Sequence, residues 1–310
     1  IQINKIATFP IGQADASARF QIPHNLYGRE NEKAVLKNAY ERAYNGSTEI
    51  VLVSGYPGIG KTMLINESLK SIEHMKGYCI MGKCDQLRHN IPYAPLAAAF
   101  GNLIKQLMTE NQKELNKWKK RIMHALGRNG AVVTSIIPEL EYIIGKQHPV
   151  DVLPPKEAEN RFLMVFRDFI KVFVWKGHPL VLFLDDLHWM DPACVHLLKY
   201  LTFDANLHSL LFIGAFRDNE VDGDHPLMEM LIEMQKGQNG MRHISLMPLE
   251  RGQVQELVAE TLNTERKKVT PLSEMLYRKS GGNPFFLVQL LMLIHDEALL
   301  YFDKQKGYWK

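Results

Sequence analysis

The chain has 310 residues, and its 37 lysines and arginines against 34 aspartates and glutamates give a formal net charge of +3. Hydrophobic residues make up 46% and charged residues 23%, the balance of an ordinary globular chain. Composition and charge therefore exclude a disordered segment, a collagen-like repeat and a strongly basic nucleic-acid tail. The length allows one large or two medium domains with a buried core.

The cysteines and the start of the chain bear on location. The three cysteines, Cys79, Cys84 and Cys194, are odd in number and lack paired metal-ligand spacing. They indicate reduced thiols in a cytoplasmic protein. No apolar run reaches the ~20 residues of a membrane span, and no secretory signal is visible. Because the chain begins with Ile1 and not Met, we expect a piece of a larger protein that makes no membrane contact through this segment.

Predicted helices and strands alternate along the chain. Residues 1–25 lack sustained periodicity and predict an arm or linker, whereas apolar residues at helical spacing predict a helix over 32–44. Short apolar runs, typical of strands buried on both faces of a parallel sheet, follow at 50–53, 78–81, 180–184, 210–215 and 244–246. Helical patterns separate them, the clearest over 157–176. The alternation predicts an α/β fold with a mostly parallel sheet.

One spacing is too long for a simple crossover. About 100 residues separate the second and third predicted strands, whereas a crossover needs only ~10–12 or somewhat more. The excess predicts a helical insertion over about 95–176. Helical patterns at about 250–262, 271–280 and 284–298 follow the last strand. The predicted domains are an arm (1–25), a sheet domain (26–248), a helical lid (249–299) and a truncated hairpin of a following domain (300–310).

A glycine-rich segment follows the first predicted strand. Residues 55–62, Gly-Tyr-Pro-Gly-Ile-Gly-Lys-Thr, match the phosphate-loop pattern G-x-x-x-x-G-K-[ST]. Glycines let backbone N–H groups turn toward phosphate oxygens, and the helix N-terminus adds partial positive charge. Lys61 is then expected to reach the β- and γ-phosphates, and the Thr62 hydroxyl to ligate Mg²⁺. The residues predicted to bind nucleotide here are Gly55, Pro57, Gly58, Ile59, Gly60, Lys61, Thr62 and Met63.

Charged residues follow two further predicted strands. Asp185 and Asp186 come directly after the apolar run 180–184, where a phosphate-loop enzyme needs a carboxylate for Mg²⁺. We assign Asp185 to the metal and expect Asp186 to polarise the attacking water. Arg217 follows the run 210–215 and either senses the γ-phosphate or forms a surface pair with Asp218. Asp191 before a proline predicts a helix N-cap.

Taken in chain order, these motifs resemble a known family. The segments 27–30, 55–62, 184–191, 216–221 and 281–286 are similar to the AAA-type ATPase module of the STAND class of signalling NTPases. The version inside large bacterial multi-domain sensor histidine kinases, between a Ser/Thr-kinase-like domain and later GAF and histidine-kinase domains, is the most similar. The resemblance spans about residues 9–310. It implies a P-loop NTPase fold of the ASCE/AAA type, a parallel sheet flanked by helices, with a C-terminal helical lid.

The resemblance also implies roles by position. The backbone of Tyr27, Gly28 and Arg29 would border the adenine, and Pro284 in the lid would close on it. Asp186 would take the catalytic-acid position and Arg217 that of the first sensor.

One departure matters for the rate. Motor-type members usually carry glutamate where Asp186 stands, which predicts slow hydrolysis. The resemblance leaves a trans arginine finger unassigned among Arg29, Arg242 and Arg278.

The function expected from these features is a nucleotide-dependent switch. ATP with Mg²⁺ would hold the lid closed, and slow hydrolysis to ADP would release it and alter flanking kinase or sensor domains or self-association. The alternatives are a fast remodelling ATPase and an origin-recognition-like ATPase that binds DNA, for which the basic stretch 117–121 around Trp118 is the candidate footprint. The acid Glu114 beside that stretch favours a solvated helix face and makes nucleic acid a less favoured partner. For His188 and Trp189, packing is favoured over catalysis.

Overall fold

A computed structural model of the chain describes residues 20–72, 76–87, 91–221, 223, 225–236, 241–303 and 308–309. The described residues form two compact units. The sheet unit contains residues 30–56 and the described part of 61–246, and the helical unit contains residues 20–29, 57–60 and the described part of 247–310. Most of the predicted arm, residues 1–19, lies outside the described residues.

A parallel sheet organises the sheet unit. Its strands are β1 (Thr48–Ser54), β2 (Tyr78–Lys83), β3 (Leu180–Asp185), β4 (Leu210–Phe216) and β5 (Met241–Ser245). They lie in the order β2-β3-β4-β1-β5, and every pairing is parallel. Strands β3 and β4 are buried along their whole length, as their uniformly apolar sequences require. The predicted parallel α/β fold is confirmed.

Helices cover this sheet. In chain order they are α1 (Glu30–Tyr44), α2 (Lys61–Ile72), α3 (Ala94–Leu107), α4 (Gln112–Leu126), α5 (Gly130–Thr134), α6 (Glu141–Ile144), α7 (Pro155–Lys171), α8 (Pro192–Phe203) and α9 (Pro226–Lys236). Helices α3 to α7 all lie between β2 and β3 in the chain. No described helix combines the length and the apolar character that a membrane span requires.

Aromatic side chains fill the core beneath α3, α4 and α7. Phe100 packs against Phe166 and Phe169 with ring centroids 5.5 and 5.4 Å apart. Trp118 of α4 stacks on Phe173 at 5.6 Å. These contacts join the residues between β2 and β3 to the same apolar cluster as the central strands.

Two predicted elements have different bounds. The helix predicted over 157–176 ends at Lys171, because the chain reverses through Gly177 at φ 82° and a bridge pairs Trp175 with His178 before β3. The apolar residues after Lys171 continue the core without continuing the helix. Strand β5, predicted at 244–246, is Met241–Ser245. Strand β5 lies at the edge of the sheet, where one side can be polar, and its residues Arg242 and His243 interrupt the apolar pattern that predicted the other strands.

The helical unit contains α10 (Arg251–Thr261), α11 (Thr270–Ser280), α12 (Pro284–Asp296) and a short antiparallel pair, β6 (Phe302–Asp303) and β7 (Tyr308–Trp309). A capping box between Glu250 and Gln253 begins α10. The helical unit has its own apolar core, which includes Val254, Leu276 and Leu287.

Candidate active site

The carboxyl ends of the strands bring the predicted phosphate and metal residues together. Because all five strands are parallel, β1, β3 and β4 end at the same edge of the sheet. Strand β4 lies directly beside β1, and β3 lies beside β4. The phosphate loop leaves β1 at Gly55, and α2 begins at Lys61. This topology makes Thr62, Asp185 and Arg217 neighbours of the loop within the sheet unit.

Lys61 is folded back into its own loop. Lys61 is only 7% exposed, and its Nζ donates to the carbonyl oxygens of Gly55 at 2.7 Å and Tyr56 at 3.1 Å. Burial, reinforced by the positive charge of Arg217, lowers the pKa of Lys61, although the site's aspartates oppose the shift. If a phosphate binds at the loop, it would replace the two carbonyl oxygens as partner of the Lys61 amine.

Thr62 and Asp185, the two residues predicted to hold Mg²⁺, are hydrogen-bonded to each other. The Thr62 hydroxyl donates to Asp185 Oδ2 at 2.8 Å, and Asp185 Oδ1 accepts from the backbone N–H of Asp186 at 3.0 Å. Hydroxyl and carboxylate oxygens are the hard ligands that Mg²⁺ uses in proteins, so this donor set fits that ion.

Asp186 occupies a different environment from Asp185. Its backbone lies in the left-handed region at φ 55°, a conformation that costs an ordinary L-residue roughly 1–2 kcal/mol. Asp186 Oδ2 lies 3.3 Å from Lys83 Nζ, and Oδ1 lies 3.9 Å from both Arg217 Nε and His188 Nε2. The adjacent acids therefore have separate partners, one a hydroxyl and the other a group of basic side chains.

Arg217 pairs with an acid that the sequence analysis did not select. Its Nη1 donates to Glu220 Oε1 at 2.6 Å, and its guanidinium lies over the Trp189 ring, 5.1 Å from the centroid. The alternative pairing with Asp218 is wrong, because the turn after β4 directs Glu220 to Arg217 instead. Trp189 thus packs against the arginine.

His188 is buried among these charges. Its side chain is 0% exposed, and Nε2 lies 3.2 Å from Glu220 Oε2. Burial lowers the pKa of His188, against the raising effect of Glu220 and Asp186. A neutral imidazole is therefore favoured beside the two acids.

Lys83 and Glu220 are the site residues that sequence reasoning missed. Lys83 is the last residue of β2, and Glu220 follows Arg217 by three residues in a turn. A signal existed for each: a basic residue at the carboxyl end of a parallel strand, and an acid at i+3 from a basic residue. Neither signal distinguishes a site residue from a surface residue without the strand order.

The predicted adenine residues belong to the helical unit. Tyr27 donates its hydroxyl to Glu260 at 2.8 Å, and burial with this nearby acid raises the pKa of Tyr27. Arg29 is 6% exposed and donates from Nη2 to the carbonyl oxygen of Met247 at 2.6 Å. Gly28 has φ 62°, and a Cβ there would lie 1.8 Å from Gln253 Nε2. The side chains are thus engaged within the unit, and Arg29 is poorly placed for the finger role.

The tip of the phosphate loop, residues 57–60, also belongs to the helical unit. Asn283, the N-cap of α12, donates from Nδ2 to the carbonyl oxygen of Pro57 at 2.9 Å. The Phe285 N–H lies 3.2 Å from the carbonyl oxygen of Gly58. A Cβ at Gly58, where φ is 76°, would lie 2.7 Å from Phe285 Cβ. Pro284, the predicted lid residue, therefore stands between two residues that hold the loop tip.

Comparison with known families decides the assignment. Residues 25–213, which include the loop, both aspartates and most of β4, match the family model of the AAA ATPase domain. The chain belongs to the AAA ATPase domain family. The resemblance found in the sequence is therefore confirmed at the level of the family.

Relatives of this AAA ATPase domain include histidine kinases. It is 30% identical over 370 residues to hybrid signal transduction histidine kinase G of Dictyostelium discoideum, covering 98% of this chain and 10% of the relative. It is 20% identical to the peroxide stress-activated histidine kinase mak3 of Schizosaccharomyces pombe, covering 93% of this chain and 14% of the relative. The domain thus spans only a small part of each of these two proteins.

Solved structures similar to this AAA ATPase domain are more distant. The Aeropyrum pernix Orc1 protein in complex with DNA is 15% identical with a TM-score of 0.47, covering 91% of this chain and 64% of that one. The Drosophila ORC bound to DNA is 14% identical with a TM-score of 0.45, covering 96% and 66%. At these TM-scores the likeness adds nothing to the assignment, which rests on the family match.

Proposed function

We propose that this AAA ATPase domain binds ATP with Mg²⁺, hydrolyses it slowly, and acts as a STAND-type conformational switch that regulates flanking output domains such as kinases. The single observation that carries the nucleotide part is the Thr62–Asp185 hydrogen bond beside the buried Lys61. The similarity to segments of histidine kinases supports the regulatory part.

Phosphate binding would use the loop and the start of α2. Backbone N–H groups around Gly58 and Gly60 would hold phosphate oxygens, and Lys61 Nζ would exchange its two carbonyl partners for the β- and γ-phosphates. Thr62 and Asp185 would hold Mg²⁺, which when bound supplies positive charge to the phosphate oxygens.

Hydrolysis would depend on Asp186. Its carboxylate would accept a proton from water as the water oxygen bonds to the γ-phosphorus and the bond to the β–γ bridging oxygen breaks, which releases ADP and phosphate. Lys83, Arg217 and His188 lie within 3.3–3.9 Å of this carboxylate. The contact with Lys83 already engages the carboxylate that would accept this proton. Asp186 is also one methylene shorter than glutamate, and both features support a slow rate.

The switch would act through the loop itself. Residues 57–60 are hydrogen-bonded within the helical unit, whereas Lys61 and Thr62 belong to the sheet unit. ATP bound at the loop would engage Lys61, and loss of the γ-phosphate would free Lys61 to return to the carbonyl oxygens of Gly55 and Tyr56.

Nucleotide titration tests the proposal. Thr62→Val is isosteric and removes the hydroxyl, so we expect Mg²⁺ to lose most of its effect on ATP affinity, measured with a fluorescent ATP analogue with and without Mg²⁺. Thr48→Val is the matched control, because the Thr48 hydroxyl bonds Leu207 at the opposite end of β1. Equal Mg²⁺ dependence in Thr62→Val and the parent would refute the metal assignment. Turnover of several per second by the parent would instead favour a remodelling ATPase.

A further inference from the structure

We propose that Glu220 is a positioning residue that competes with the γ-phosphate of ATP for Arg217. In the resting site Glu220 holds the arginine, and only a nucleotide with a γ-phosphate recruits it. The pair would thereby tune the discrimination between ATP and ADP. This inference rests on the proposed function, since it requires that the site bind ATP.

The first support is the geometry of the arginine. Arg217 Nη1 lies 2.6 Å from Glu220 Oε1, whereas its Nε lies 3.9 Å from Asp186 Oδ1. A charge-assisted hydrogen bond forms at the shorter distance and not at the longer one. Glu220 is therefore the acid that fixes the arginine, although Asp186 lies close by.

The second support is that the pair is built into a local turn. Residues 218–220 form a single 3₁₀ turn after β4, and the Glu220 N–H donates to the Arg217 carbonyl oxygen at 3.1 Å. In a 3₁₀ turn, residues three apart lie above one another, which places the two side chains together. The acid thus reaches Arg217 without help from a distant element.

The third support is the reach of Arg217 toward the phosphate end of the site. Arg217 directly follows β4, which lies beside β1, the strand that leads into the phosphate loop. Its guanidinium stacks on Trp189 and borders Asp186, the residue beside the metal-side carboxylate. The Arg217 side chain is 28% exposed, so a ligand can reach it from solvent.

The fourth support is that His188 can take the place of Arg217 as the partner of Glu220. His188 Nε2 lies 3.2 Å from Glu220 Oε2, yet both ring nitrogens of this buried imidazole lack a well-formed hydrogen bond among the described residues. The backbone of His188 is held separately, because its carbonyl oxygen accepts from His225 Nε2 at 3.0 Å. When Arg217 moves to the γ-phosphate, the Glu220 carboxylate can accept a hydrogen bond from the imidazole of His188. The acid therefore keeps a partner.

The competition predicts a selective change in affinity. ATP binding must break the Arg217–Glu220 pair, but ADP binding need not. In Glu220→Gln, a near-isosteric change, we expect ATP affinity to rise about fivefold, as the loss of one half-buried ion pair allows, with ADP affinity unchanged. Isothermal titration calorimetry with each nucleotide and Mg²⁺ measures the ratio. Thermal unfolding of the variant verifies that the fold is intact.

Two further variants isolate the mechanism. Glu139→Gln is the matched control: Glu139 is 27% exposed, comparable to 30% for Glu220, and pairs with Lys105 at 3.1 Å. We expect it to leave both affinities unchanged. Arg217→Ala should lower the preference for ATP, and adding Glu220→Gln to it should then have no effect, since the competing partner is gone.

The outcomes separate the two proposals. A parent protein that fails to bind ATP overturns the proposed function, and this inference with it. A parent that binds ATP, with Glu220→Gln leaving the ATP-to-ADP ratio unchanged, overturns the competition alone. An equal rise for both nucleotides also overturns it, because that result reports the general charge of the site. A rise for ATP that persists in the Arg217→Ala background overturns the role of Arg217.

Discussion

Individual charges at the carboxyl edge of the sheet are arranged in short-range pairs. Lys83 lies beside Asp186, Arg217 beside Glu220, and the Thr62 hydroxyl beside Asp185. Each pair satisfies a polar group that would otherwise be costly to bury. Under the proposed function, a phosphate or a cation would replace one partner of these groups.

Neutralising Asp185 and neutralising Asp186 should have different effects on nucleotide binding and turnover. Asp186→Asn removes the proposed base, so we expect turnover to fall by ~10²-fold or more with ATP affinity retained. Asp185→Asn should instead abolish the Mg²⁺ dependence of binding, because it removes the metal-side carboxylate. Steady-state ATPase assays and nucleotide titrations distinguish the variants. Unchanged turnover in Asp186→Asn would show that another group activates the water.

Cysteine reactivity provides a residue-level test of the fold. Cys79 is exposed, whereas Cys84 and Cys194 are buried. Burial raises the pKa of Cys84 to about 12 and also raises the pKa of Cys194, so neither carries much thiolate near neutral pH. We therefore expect a maleimide at pH 7 to label one thiol of the native protein rapidly, and Cys79→Ser to remove that label. Unfolding in urea should expose the other two, as counted by mass spectrometry. Rapid labelling of two or three native thiols would contradict this burial.

At the scale of elements, helix α8 depends on one residue at its start. Asp191 accepts from the Cys194 N–H at 2.9 Å, and Pro192 opens the helix, as the sequence predicted. The same carboxylate accepts from the Tyr93 N–H at 3.3 Å, which joins the segment before α3 to α8. One side chain thus stabilises two connections.

Loss of this cap should be measurable. Asp191→Ala is expected to lower the free energy of unfolding by about 1–2 kcal/mol, because the residue is buried and its partners would be left unpaired. Urea denaturation measures the change. Asp191→Asn keeps a capping oxygen and should lose clearly less stability. Equal losses in both variants would indicate that the charge, and not the cap, matters.

Helix α4 presents a basic face without an available aromatic ring. Trp118 is 7% exposed, with Arg121 over its ring at 4.9 Å, and Lys117 pairs with Glu114. Base stacking needs an open ring face, so this helix is a poor platform for single-stranded nucleic acid.

The DNA alternative can be tested directly on this face. We expect no specific gel shift with duplex or single-stranded DNA at 150 mM salt, roughly physiological ionic strength. Any weak shift should persist when Lys117, Lys119 and Lys120 are changed to glutamine. A salt-sensitive shift that this triple variant abolishes would instead support the origin-recognition-like function.

At the scale of the whole molecule, two histidines whose pKa values are lowered link stability to pH: His188, which is buried, and His178, which is partly buried. Burial lowers the pKa of His178, which stacks on Trp175 at 3.9 Å, and also lowers that of His188. An unfolded histidine titrates near pH ~6.5. Below that pH these two histidines bind protons more readily in the unfolded chain than in the folded one, so acid favours unfolding.

Stability should therefore fall as the pH drops from about 6.5 toward the lowered pKa values of these two histidines. His178→Gln is expected to reduce this fall, measured by urea denaturation at several pH values. Exposed His208→Gln, in the loop before β4, is the control and should leave the pH profile unchanged. A profile identical in His178→Gln and the parent would exclude a contribution from His178.

The sequence by itself predicted most of the elements and picked out the phosphate-loop residues as candidates. Uniform apolar runs specify buried strands wherever both faces are covered, and the spacing of glycines, Lys61 and Thr62 is a local pattern that needs no partner. The same local logic located Asp185 and Asp191. It failed at β5, where an edge strand carries polar residues, and at the end of α7, where buried residues continue beyond the helix.

Only the tertiary structure decided which charges meet. The strand order β2-β3-β4-β1-β5 brings Lys83 to Asp186 from about a hundred residues away in the chain, and no local pattern encodes that order. The choice of Glu220 over Asp218 as partner of Arg217 depended on the geometry of one turn. Contacts between distant residues depend on topology, because the crossover between two parallel strands can be far longer than its minimum.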